Sequence, residues 1–329
     1  MASLREIKDR IGSVRSTLKI TSAMKLVASA KLRKAQKAIE ALRPYERTLG
    51  EILASLQYGG ISPEPPAALK SLSDFASKVP GPGRSADADF ASLELPRGEG
   101  LQNHEGPTAV VAIASNSSLC GGFNANVVRK ALETIRGCEG EVEVYPLGRK
   151  MTDALRRAGY TADQDYNDLV AHPSYEQSSA LARRLAERFE RGELARVVLV
   201  YTSFVSASRQ EPVAETYLPF DGDKILRVAQ DDNKNGRDVI LSESEESEYL
   251  LEPDAAALAA QLLPQVTLLK FHAAILDSAA AEQAARTLAM QTASDNAEDL
   301  LGELTLEYNK GRQQKITAEI LDLLGGAAQ

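Results

Sequence analysis

The chain has 329 residues, 38 Lys and Arg against 46 Asp and Glu, a net charge of −8 and no tryptophan, a length that suits two domains or one elongated unit. Two cysteines, Cys120 and Cys138, exclude a disulfide framework and a thiolate metal site and suit a reducing compartment. No stretch approaches a membrane span, and no signal-peptide pattern opens the chain.

Residues 1–58 read as one long helix. Leu4, Ile7, Ile11, Val14 and Leu18 alternate spacings of three and four, and the register continues through Thr21, Lys25, Ala28, Leu32, Ala35, Ile39, Leu42, Glu46, Leu49, Leu53 and Leu56. Of these sixteen positions only Thr21, Lys25 and Glu46 are not apolar. Such a heptad stripe requires a partner helix. At 1.5 Å per residue the helix runs roughly 80 Å, too long for the inside of a small domain. Ser3 and Glu6 form a candidate capping box. Pro44 removes a backbone donor and predicts a kink or brief break.

The charge is uneven. Residues 1–37 carry ten bases and two acids, with no acid between Asp9 and Glu40. The bland reading is the solvated back of a helix; one sign sustained over thirty residues implies an anionic partner, whether protein, nucleic acid or membrane.

Residues 59–106 form a variable insertion rich in Gly and Pro, with room for one short helix at 66–78. Residues 107–220 follow another grammar. Thr108–Ala114 is a buried strand, followed by a helix at 124–137, a strand at Glu141–Tyr145 and a short helix at Thr152–Ala158. A helix at 174–191, a doubly buried strand at Arg196–Thr202 and an edge strand at Val213–Leu218 complete the unit. Alternating strands and helices predict an α/β domain on a mainly parallel, Rossmann-like sheet. Residues 221–254 hold eleven acids and four bases and read as a solvated loop. A last helix occupies 255–329, with Pro264 marking a bend, a polar stretch TASDNAED at 292–299 and Gly325-Gly326 as its stop. The simplest architecture is an antiparallel two-helix coiled coil of the chain's two ends with the α/β domain inserted between them.

Chemistry is sparse. No phosphate loop, dinucleotide fingerprint or zinc-protease helix occurs, and His104, His172 and His272 stand apart. The candidate nucleophile is Cys120, in SSLCGG between a strand and a helix. The competing reading, which the lack of a nearby base favours, is a tight turn permitted by Gly121 and Gly122 with Cys120 packed beneath it.

IKDRIGSVRSTLKITSAMKLVASAKLRKAQ at 7–36, SLCGGFNANV at 118–127, EQAARTLAMQTASDNA at 282–297 and LTLEYNKGRQQKITAEILDLLGGA at 304–327 together resemble the gamma subunits of bacterial F-type ATP synthases. The first follows the pattern I-x-x-V-x-x-T-x-K-I-T-x-A-M-x-x-V-A-x-x-K. The resemblance implies the central rotor shaft of a proton-transporting complex, with the alpha and beta subunits of the F1 hexamer, the epsilon subunit and the c-subunit ring as partners. It places the chain peripherally on the cytoplasmic face of the plasma (inner) membrane, without nucleic acid or a transmembrane segment of its own. It implies no catalytic residue, cofactor or metal here, since nucleotide chemistry belongs to the hexamer. It implies rotor–stator contacts at Met24, Lys25, Lys31, Arg33 and Lys34, and at Arg312, Gln313 and Thr317 facing a beta-subunit loop. One departure stands out: Asn116-Ser117-Ser118 occupies the place of the family's usual Asp-Arg-Gly. The rival reading is a basic coiled-coil scaffold or nucleic-acid-binding protein; the basic run has no interleaved aromatics to support it.

Overall fold

The computed structural model describes residues 3–58, 106–161, 164, 166–219 and 255–326. The insertion expected at 59–106 (Gly106 excepted), the short helix at 66–78, His104 and the acidic 221–254 loop lie outside the described residues.

Helix α1, Leu4–Tyr58, begins on a reciprocal capping box. The Glu6 N–H donates to Ser3 Oγ at 3.2 Å, and the Ser3 N–H to Glu6 Oε2 at 3.3 Å. From Leu4 to Leu49, every predicted stripe position whose side chain is described is buried or partly buried, while the intervening Lys and Arg face outward. The helix runs through Pro44 without the expected break. The ring is on the exposed side, where the carbonyl that loses its donor can be hydrated.

The partner is the last helix, here α6, Ala255–Gly326, which also continues through its internal Pro264. Leu4 packs over Gly311, where an added Cβ would lie 3.1 Å from Leu4 Cδ2, and Thr21 meets Ser294. From 4 to 21 on one helix, the partner falls from 311 to 294, seventeen residues on each. Lower down, Leu32 and Ile39 pack with Leu276, Ala280 and Ala284. The pair is therefore antiparallel and keeps one register. Buried or partly buried Met290, Ser294, Ala297, Leu301, Leu304, Tyr308 and Gly311 repeat the four–three spacing, the mark of interdigitated seam packing. The polar seam positions of α1 are matched here. Ser294 Oγ donates to Thr21 Oγ1 at 2.8 Å, and Lys25 Nζ donates to Gln291 Oε1 at 2.5 Å. The rest of the polar 292–299 stretch, Thr292, Asp295, Asn296, Glu298 and Asp299, is exposed.

Between the two helices stands a four-stranded sheet. Its strands are β1 (Thr108–Ile113), β2 (Val142–Leu147), β3 (Arg196–Phe204) and β4 (Gln210–Leu218), in spatial order β2-β1-β3-β4. β1 is parallel to both neighbours, and β4 closes the edge antiparallel to β3. Pro146 and Pro212 sit in the two edge strands, where a missing N–H costs no inner ladder bond. The central strands are runs of small and β-branched residues because helices cover both faces. On one face Val110 and Ala112 meet Val127, Ala131 and Ile135 of α2 (Phe123–Gly137) and Met151 and Leu155 of α3 (Arg149–Arg157). On the other, Ala109, Val111 and Ile113 meet α4 (Asn167–Ala171), α5 (Tyr175–Glu190) and α6 itself, through Leu268, Phe271 and Ile275. The short α4 was not predicted.

Helix α6 thus belongs to two cores: its lower part is a layer of the α/β head, and its upper part is half of the coiled coil. Buried polar bonds fix the lower part. Tyr217 Oη donates to the Thr267 carbonyl at 3.0 Å. Ser178 Oγ lies 2.9 Å from His272 Nδ1 and 3.0 Å from the Tyr175 carbonyl. Ser178 Oγ thus stands within hydrogen-bond distance of both groups and links α5 to His272 of α6.

Candidate interaction surface

The residues expected to contact a partner fall into two groups. The first lies on α1 where the shaft rises from the head. Met24, Lys31, Arg33 and Lys34 are exposed, and Lys31, Arg33 and Lys34 form no ion pair with any described residue. Lys25 differs, because its ammonium is engaged in the seam with Gln291. Ile20, Met24 and Val27 are 57%, 41% and 58% exposed, and the same four–three spacing carries on to Lys31 and Lys34. One outward stripe is therefore apolar in its upper half and basic in its lower half. Ile20 and Val27 were not singled out from sequence. Their signal was present, as apolar residues off the seam register.

The second group is at the far end of α6. Since Leu4 meets Gly311, the fifteen residues from 312 to 326 continue as a single helix beyond the start of α1, about 22 Å of it. Arg312, Gln313 and Thr317 are all exposed there, and Thr317 Oγ1 donates to the Gln313 carbonyl at 2.9 Å. Ile316, Ile320 and Leu321 beside them are 47%, 51% and 61% exposed. Met24 lies opposite the 291 level of α6, so the two groups are separated by roughly 30 Å along the shaft.

The turn after β1 packs as the structural reading of Cys120 expects. The thiol is buried among Phe123, Phe204, Ala281 and Ala285, and Asn124 Nδ2 donates to its Sγ at 3.1 Å. Gly121 has φ +57°, a left-handed conformation suited to glycine. Asn116 joins three elements: its Nδ2 donates to the Asn167 carbonyl at 2.8 Å and its Oδ1 accepts from the Arg149 N–H at 2.9 Å. Ser117 and Ser118 face Arg286 of α6.

Beside this turn a groove of about 520 Å³ opens between β4 and α6, lined by Asn126, Thr202, Gln210, Leu288 and Asn296 among others; among the described lining residues Cys120 is the only ionisable one. Elsewhere on the head, the Arg188 guanidinium binds Glu143 at 2.6 and 2.9 Å and holds its carboxyl below the usual range. That pair ties α5 to β2. His172 is exposed and His272 is in the head core. Among the described residues no group of His, Cys, Asp or Glu is arranged to hold a metal, and no helix is long and apolar enough to cross a membrane.

The profile of the ATP synthase family matches residues 3–329. The ATP synthase gamma chain of Bacteroides thetaiotaomicron is 41% identical over 333 residues, covering 100% of both chains. That of Bacteroides fragilis is 42% identical over 331 residues, 99% of each. That of Pelotomaculum thermopropionicum is 34% identical, covering 100% of this chain and 99% of its own. Among solved structures, a chain of the Euglena gracilis mitochondrial ATP synthase rotor superposes with a TM-score of 0.54 at 18% identity, covering 95% of this chain and 98% of that one. A second Euglena structure, of the OSCP/F1/c-ring assembly, gives 0.58 at 18% identity, covering 99% and 93%. These distant structures establish the shared fold; the close relatives and the full-length profile establish the lineage. The chain belongs to the ATP synthase gamma-chain family.

Proposed function

We propose that the chain is the central rotor shaft of a proton-transporting ATP synthase. It couples rotation of the membrane c ring to ATP synthesis or hydrolysis in the hexamer of alpha and beta subunits. The head stands toward the epsilon subunit and the c ring, peripheral to the cytoplasmic face of the membrane, and the coiled coil enters the hexamer. The observation that carries this reading is mechanical. One seam register runs from Leu4–Gly311 to the Ile39–Leu276 layer, and α6 then continues as part of the head core. A torque applied to the head passes into the shaft along a covalent helix locked on two sides.

The two exposed groups supply the bearing surfaces. In the first, Lys31, Arg33 and Lys34 attract acidic beta-subunit loops broadly; several like charges on a moving surface give steering without a single tight pair that would hold one angle. Ile20, Met24 and Val27 add contact that is not directional and so permits sliding. Lys25 contributes by fixing the seam beneath them. In the second, Arg312 and Gln313 offer donors suited to a carboxylate or carbonyl, with Thr317 beside them, and Ile316 and Ile320 ask for an apolar sleeve. The test is co-purification of the tagged chain from native membranes in mild detergent. One copy with three alpha and three beta subunits, epsilon and the c ring is the expected result. Recovery alone, or with nucleic acid and no hexamer, would overturn the reading.

A further inference from the structure

We propose that Arg286 is a positioning residue for rotary coupling: it locks the turn after β1 onto α6 at the level where the two-helix shaft leaves the head. The proposal rests on the rotor reading above.

The geometry is specific. Arg286 Nη1 donates to the Ser118 carbonyl at 2.5 Å, and Nη2 donates to Ser117 Oγ at 2.8 Å and to Glu282 Oε1 at 2.6 Å. The Arg286 and Glu282 side chains are only 15% and 11% exposed. One planar fork therefore binds a backbone carbonyl, a hydroxyl and a carboxylate, with the carboxylate one helical turn away holding the guanidinium in place. Ser117 stands where the family pattern usually has arginine, and in this chain its hydroxyl is one of the acceptors.

The turn needs an outside hold. Leu119 has φ +68°, a left-handed conformation that a side chain disfavours, and Gly121 follows at +57°. Asn124 braces the turn from within, through Ser115 and Ser117. Arg286 is its tie to the shaft. Its hydrogen bonds to the head lie higher on α6 than those at Thr267 and His272.

Position gives the tie its role. Five residues further along α6, about 7.5 Å, Gln291 holds Lys25 of α1, and three residues beyond that Ser294 holds Thr21. Head, α6 and α1 are thus joined by directional bonds within about 12 Å of helix. Below this level the head grips α6 through the apolar packing of Leu268, Phe271 and Ile275 and through the bonds at Thr267 and His272, which lie about 21 Å or more down the helix from Arg286 and do not hold the tip of β1. Apolar packing resists separation but is weakly directional against twist. Hydrogen bonds at fixed angles resist the shear that rotation imposes. Without the fork, α6 can turn against the tip of β1 before the load reaches the coiled coil.

The test uses the assembled complex in inverted membrane vesicles and reads proton uptake per ATP hydrolysed. In R286Q the ratio is expected to fall about threefold. R286K keeps the charge beside Glu282 but not the fork, and is expected to behave like R286Q. S117A removes one acceptor and is expected to fall less. E282Q/R286Q, which leaves no unpaired carboxylate, guards against a mere folding defect and is expected to match R286Q. A parallel fall of uptake and hydrolysis at constant ratio, tracking the amount of assembled complex, would overturn the lock and leave Arg286 a purely structural residue. An unchanged ratio at full assembly would overturn it as well. Failure of the wild-type complex to pump at all would instead refute the rotor reading, and the lock with it.

Discussion

Replacing Gly148 with alanine is expected to be far more damaging than the same change at Gly159, although the two have nearly the same positive φ. Gly148 follows β2 and precedes α3, with φ +96° and ψ 137°, and Gly159 has φ +93°. A Cβ at 148 would lie 2.1 Å from the Ala114 carbonyl oxygen and 2.9 Å from its carbon, whereas nothing lies within 4 Å of one at 159. The first distance is about 1 Å shorter than an ordinary carbon–oxygen contact, and both sides are backbone. Relief therefore requires the ends of β1 and β2 to part, where the Ala114 N–H donates to the Leu147 carbonyl and the Lys150 N–H to Ser115. The left-handed conformation alone costs an alanine about 1–3 kcal/mol, and overpacking adds about 1–3 kcal/mol. A total of about 2–6 kcal/mol is a large share of the 5–15 kcal/mol typical of a folded domain. Urea titration of the purified full chain by far-UV circular dichroism reads the difference. G159A should show only the conformational part; G148A should lose that and the steric part, or leave the head unfolded. Equal midpoint shifts would show that the contact with Ala114 is relieved at no cost, and the packing argument would fail.

Three further outcomes follow from the structure. Ile39→Ala empties a seam position that is 8% exposed against Leu276 and Ala280 and should cost about 2–5 kcal/mol, read as a lower melting temperature of the chain; an unchanged melt would mean the seam closes over the gap. The triple change K31E/R33E/K34E alters exposed side chains without a described ion partner. Stability should stay within about 0.5 kcal/mol, while affinity for the isolated hexamer falls at low salt and the difference narrows at high salt. Salt-independent affinity equal to wild type would refute an acidic partner for this stripe. Burial lowers the pKa of His272, so the folded chain takes up that proton less readily than the unfolded one. The stability tied to its neutral form is complete above about pH 6.5, the ordinary imidazole value, and is lost as pH falls below it. H272F keeps an aromatic ring against Tyr175, 5.5 Å away, and should show a shallower loss of melting temperature on acidification; an equal slope would place the acid sensitivity elsewhere.

What could be read from residue order alone was whatever repeats locally. The three–four spacing from Leu4 to Leu49 identified the buried face of α1 because a helix returns each side chain to the same side at that period. Ser3 and Glu6 marked the helix start by a bond spanning three residues. The runs TAVVAI and RVVLV announced buried strands because only sheet interiors covered on both faces demand such uninterrupted apolar content. Spacing did not disclose that α6 serves two cores, that Lys25 is spent in the seam while Lys31 and Lys34 remain outside, or that α6 outruns α1 and leaves Arg312, Gln313 and Thr317 on a lone helix. Each depends on where one end of the chain meets the other, a register set by pairs such as Thr21–Ser294, 273 positions apart. Arg286 is the clearest case. As a sequence letter it is one base in a helix; its role exists only because folding brings Ser117 and Ser118 to it from 169 and 168 residues away. Helix and strand periods are short-range properties of the chain, so sequence determined the elements and the kind of core each required. The meeting of surfaces between distant elements is a property of the packed whole, and only the tertiary structure decided it.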